Sequence, residues 1–142
     1  SYKPSIQQKE KNMSTALWIL LVTMLMPIIC GGISKAGGGD DRYDNVNPRD
    51  WLARRTGYRA RANAAQANSW EALATYTAAL VAAYVGNVNG ESLALIASIF
   101  LLARVAYLVC YLANLATLRS LTWLVGFGSC ICLIVMGAQR VV

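Results

Sequence analysis

Residues 61–71 read Arg61-Ala62-Asn63-Ala64-Ala65-Gln66-Ala67-Asn68-Ser69-Trp70-Glu71, and an apolar run from Trp70 to Val85 follows directly. Steps of three or four residues connect Arg61, Ala64, Asn68, Glu71 and Thr75, so these positions share one stripe of a helix. The remaining faces are rich in alanine and apolar side chains. A carboxylate at membrane depth costs about 2.5 to 3.5 kcal/mol on insertion scales, so Glu71 is expected to face protein or a water-filled cavity and to have a partner. A helix from about Tyr58 to Gly86 would be about 42 Å long at 1.5 Å per residue, longer than the hydrocarbon core, and would protrude from it.

Three further apolar stretches surround this one, from about Ala16 to Ile33, Leu93 to Ala113 and Leu118 to Met136. With 56% hydrophobic and 14% charged residues in 142, the composition suits an all-α integral membrane protein with four antiparallel transmembrane helices. Residues 1–12 read as an N-terminal tail and 13–142 as one transmembrane domain. The first stretch is longer than the apolar core of a signal peptide and lacks a convincing cleavage site, so a retained span is expected. Pro27 is a candidate kink.

The formal charge of +6 invites a nucleic-acid reading, but the cations are sorted by loop. Lys35, Arg42, Arg49, Arg54, Arg55, Arg59, Arg61 and Arg119 fall on the side of the first and third loops, against Lys3, Lys9, Lys11 and Arg140 on the other. This asymmetry predicts cytoplasmic first and third loops and both termini on the far side. No nucleic-acid partner is expected.

Residues 34–50 form an irregular loop by their three successive glycines and Asn47-Pro48, with a short helical turn over Arg49 to Arg55 and Trp51 at the membrane interface. Gly86 to Gly90 reads as a tight turn between antiparallel neighbours, with Glu91 in the first turn of the next helix. Arg104, Tyr107, Tyr111 and Asn114 make a second polar stripe, and Arg104 is the natural partner of Glu71. Arg119-Ser120, with Trp123 one turn later, opens the last helix toward the same end. The four cysteines, Cys30, Cys110, Cys130 and Cys132, all fall in apolar stretches and read as buried hydrophobes. There is no histidine, and the Cys130-x-Cys132 pair lacks ligand spacing, so no metal is expected.

From about Met13 onward the chain resembles the MAPEG family, membrane-associated proteins in eicosanoid and glutathione metabolism, and in particular its bacterial branch. The resemblance rests on Arg61 followed by Ala65-x-x-Asn68-x-x-Glu71, on Arg104-x-x-Tyr107-x-x-x-Tyr111, on Arg119-Ser120 and on Asn47-Pro48-Arg49. It implies a homotrimeric four-helix bundle with ligand sites between protomers near the cytoplasmic face. It further implies glutathione as co-substrate, with Asn68, Glu71, Arg104, Tyr107, Tyr111 and Arg61 binding it and Arg119 with Ser120 stabilising its thiolate. A guanidinium suits carboxylates and lowers the pKa of a nearby thiol. The implied activity is that of a microsomal-type glutathione transferase or peroxidase acting on hydrophobic small molecules from the bilayer. The alternative is a non-catalytic member, a lipid binder or an accessory subunit of a larger membrane complex. Ala64, where eukaryotic members commonly carry a second arginine, and the small residues of the same helix favour that alternative.

Overall fold

The computed structural model describes residues 6–37, 42–88 and 90–141. Five helices follow one another: α1 (Ile6–Lys35), α2 (Pro48–Ala53), α3 (Gly57–Val85), α4 (Gly90–Leu112) and α5 (Ala116–Ala138). All the regular structure among the described residues is helical. α1 passes through residues 12 and 13 without a break, Asn12 is buried, and the helix continues through Pro27.

Among the described residues, three helices are long and apolar enough to cross a membrane: Glu10–Lys35 of α1, α4 and α5. The fourth expected span lies in α3, which has the expected length but not the required hydropathy. Asn63, Gln66, Asn68 and Glu71 dilute its N-terminal half, and Thr75 and Thr77 its middle.

α1 packs on α3 and α4, and α5 packs on α4 and α3. Contact between α3 and α4 is slighter, although they are consecutive, so the tight turn between them joins poorly packed neighbours rather than the close pair expected. The Tyr76 hydroxyl donates to the Ala16 carbonyl (3.1 Å), which sets α1 against α3. Tyr76 also stacks on Phe100 of α4, with centroids 4.3 Å apart and planes 6° from parallel. Ala16, Ala79, Leu93, Ala97, Cys130 and Leu133 close the core around this pair. Ser69 and Thr23 satisfy their buried hydroxyls on carbonyls four residues back, each at 2.7 Å, so neither needs a partner on another helix. Large apolar side chains such as Leu102, Tyr84 and Leu124 remain exposed on the outer faces, as suits a surface in contact with lipid.

Two asparagines end helices. Asn87 (φ 49°) and Asn114 (φ 61°) take the left-handed conformation after α3 and α4. In each case the next residue donates back five positions, Val88 to Ala83 (2.9 Å) and Leu115 to Cys110 (2.8 Å), as in a Schellman cap. Asn114 is thus a turn residue and not a member of the α4 stripe.

The first loop is built on α2, which has Pro48 in its first turn as expected. The Asp44 carboxylate accepts from the backbone N–H groups of Val46 (2.8 Å) and Asn47 (3.2 Å), and these bonds hold its pKa below the usual value. Trp51 differs from expectation: it is buried, edge-on to Tyr43 at 5.2 Å, with the Arg55 guanidinium 4.0 Å from its ring centroid. It is an anchor inside the protein, held between Tyr43 and Arg55. Of the glycine run at 37–39 only Gly37 lies within the described residues.

Candidate functional site

At the end where α4 turns into α5, three helices enclose a cavity of about 170 Å³. α3 contributes Asn68, Glu71 and Thr75, α4 contributes Phe100 and Arg104, and α5 contributes Trp123, Gly126, Phe127 and Cys130. A second hollow of about 410 Å³ shares Asn68 and Trp123 with the first and adds Tyr107, Arg119 and Ser120. Six of the eight residues singled out from the sequence therefore line one or other of two adjacent hollows, which together form the recess.

Arg104 dominates it. The residue is 2% exposed, and its Nε and Nη2 have no hydrogen-bond partner. Its guanidinium stands 4.3 Å from the Tyr107 ring centroid and within electrostatic reach of Cys30, Cys130 and Glu71. The expected Glu71–Arg104 pair does not form. Glu71 is exposed at the mouth and its carboxylate instead accepts from Asn68 Nδ2 at 3.1 Å. The separation of α3 from α4, which leaves room for the cavity, also keeps the two charges apart.

Beyond Arg104 the cations and rings continue along the recess. Tyr107 meets Tyr111 edge-on at 5.5 Å, and the Arg119 guanidinium lies 4.4 Å from the Tyr111 ring centroid. The face of an aromatic ring attracts a cation, so Tyr107 and Tyr111 help to fix the two guanidiniums. Tyr111 supports the recess from behind Arg119 and does not line it. Ser120 is exposed, and its hydroxyl donates to the Ala116 carbonyl (3.1 Å).

Arg61 stands elsewhere. Its Nε donates to the Leu112 carbonyl at 3.0 Å, so it caps the last turn of α4, the turn that carries Tyr111. Phe100, Gly126, Phe127 and Cys130 were not singled out from the sequence as site residues. Three of them continue the steps of three or four from Arg119 and Trp123 along α5, a periodicity that would have found them. The four cysteines are not all buried as expected: Cys30 and Cys130 are, Cys110 is half-buried, and Cys132 is exposed on the outer face of α5.

The recess combines a desolvated guanidinium, a second arginine at its rim, a carboxylate and amide at its mouth, and aromatic walls. Such a lining suits an amphipathic ligand with anionic groups and an apolar portion. A model of the MAPEG family matches residues 15–139, most of the chain. No curated protein and no solved structure matches it.

Proposed function

This chain belongs to the MAPEG family, and on that premise we propose that it is a membrane-bound glutathione-dependent transferase or peroxidase acting on hydrophobic electrophiles. The observation that carries this reading is the unpartnered Arg104 guanidinium inside the recess. A buried cation without a counter-ion is costly, and an anionic ligand offsets that cost. In this reading Arg104 takes a carboxylate of glutathione, Glu71 with Asn68 takes its amino group, and Tyr107 and Tyr111 hold the guanidiniums in place. Arg119, with Ser120, stabilises the thiolate. Arg61 acts by position, holding the end of α4 beside Tyr111.

The thiolate then attacks the electrophilic carbon, a sulfur–carbon bond forms, and the leaving group departs with its electron pair. With a hydroperoxide, two glutathione molecules give a disulfide, an alcohol and water. The reading includes a homotrimer of four-helix bundles with a site between neighbouring protomers, first and third loops in the cytoplasm, and both termini opposite. α3, too polar to face lipid along its whole length, suits a position against a neighbouring protomer.

A second reading, a non-catalytic lipid binder or accessory subunit, is favoured by a separate apolar groove of about 830 Å³ on the outer seam of α3 and α5, lined by Ala78, Val81, Val85, Ile134 and Val141 among others. The ultraviolet difference spectrum on adding glutathione to the detergent-purified protein at neutral pH separates the two. A saturable thiolate band that is lost in Arg119→Ala supports the enzyme; absence of the band from an intact oligomer supports the binder.

A further inference from the structure

Cys30 and Cys130 make a natural comparison, since each is 1% exposed and each lies within electrostatic reach of Arg104. Only Cys130 lines the cavity; Cys30 packs against Ser69, behind the cavity wall. Equal burial thus hides unequal access. A thiol lining the same hollow as Arg104, whose Nε and Nη2 are unpartnered, with walls from Phe100 and the stacked pair Trp123–Phe127 (5.0 Å, 9°), resembles a reaction site more than a packing contact.

We propose that Cys130 covalently captures small α,β-unsaturated carbonyl compounds, which the cavity holds with their carbonyl oxygen on Arg104. The volume, about 170 Å³, suits a one-ring molecule, for an apolar cavity of about 150 Å³ accepts benzene. Phe100 and Phe127 supply the apolar walls, and Arg104, in the same lining, has Nε and Nη2 unpartnered and free to donate to the oxygen. Sγ of Cys130 adds to the β-carbon as the carbon–carbon π bond breaks. The electron pair moves to the carbonyl oxygen, where the two N–H donors stabilise the enolate. The thiol proton ends on the α-carbon. The step needs no oxidant, no leaving group and no glutathione, and its product fills the cavity.

The test uses full-length protein in detergent, free of glutathione, with 2-cyclohexen-1-one as probe and peptide mass mapping over time. Cys132→Ser, a change on the outer face, leaves one thiol in the α5 peptide. The expected result is an adduct on Cys130 forming at least about tenfold faster than on Cys30, since only Cys130 lines the cavity that holds the probe. Gly126→Leu, which plugs the cavity from α5, is expected to abolish this advantage while Cys110 labels at its former rate. Arg104→Met is expected to slow capture by about a hundredfold, the usual loss when an oxyanion donor is removed. Equal rates at Cys130 and Cys30 in the unplugged protein would overturn the proposal, as would fast labelling that survives the plug. Since no glutathione is present, a missing thiolate band would not affect the result.

Discussion

α3 and α5 run parallel, yet their two ends are built in opposite ways. At the C-terminal end Gly86 lies against Gly137, and a Cβ on either would overlap the opposing backbone, at Gly137 or at Ala82. Arg140 closes the same end by donating to the Asn87 carbonyl at 2.9 Å. At the N-terminal end, Asn68 and Glu71 face Trp123 and Phe127 across a cavity. Small residues let two helices meet backbone to backbone; bulky and polar ones hold them apart and leave room for a ligand. One pair of helices thus separates cohesion from recognition along its length, and the two ends should respond oppositely to substitution.

The largest effect is expected at the closed end. Gly137→Leu forces the α3 and α5 backbones apart and should cost about 3 kcal/mol, at the upper end of overpacking penalties, or about 10 °C in melting temperature for a chain of this size. Thermal unfolding in detergent measures it; an unchanged midpoint would mean that the glycine contact does not hold this end.

At the open end the sign reverses. Arg104→Met replaces an unpartnered buried cation by an apolar side chain and should be neutral or stabilising by about 1 to 4 kcal/mol, while the glutathione thiolate band disappears. Paired melting and titration experiments check both halves, and a large fall in melting temperature would show that Arg104 contributes to cohesion after all.

The smallest effect is expected at Arg61. Arg61→Ala loses a charge-assisted bond to the Leu112 carbonyl and should cost about 1 kcal/mol, below the roughly 1.5 to 3 kcal/mol of a buried bond of this kind because the group is partly exposed, with the thiolate band retained. An unshifted melting temperature with a lost band would move Arg61 from positioning to direct contact with ligand.

Much of this architecture is legible in the sequence because hydropathy and helical period are local. The bounds of α4 and α5, the reach of α3 beyond its apolar run and the start of α2 at Pro48 all follow from neighbouring residues. The convergence of Asn68, Glu71, Arg104, Tyr107, Arg119 and Ser120 was also foreshadowed, as polar side chains on apolar helices have few other places to go. What escaped depends on distances between helices. Glu71 and Arg104 look like partners until the gap between α3 and α4 is known. The Leu112 carbonyl that holds Arg61 carries no side-chain signature, 51 positions away. Asn114 fits the polar period of α4 yet falls just too late, after Leu112 has ended the helix. Cys130 continues the steps of three or four from Arg119 and Trp123, but that it borders a cavity and Cys30 does not shows only in the packing.

The glycine contact also fixes how this protein can move. With Gly86 and Gly137 in backbone contact, α3 and α5 cannot come closer at that end, so the contact serves as a fulcrum. Trp123 stands fourteen residues along α5 from Gly137, a lever arm of about 21 Å at 1.5 Å per residue. A tilt of about 5° about that pivot would move the mouth of the recess by about 2 Å over this arm, enough to admit a ring edge-on. Admission of substrate from the bilayer would then be a small rotation about a fixed hinge, with most of the molecule at rest.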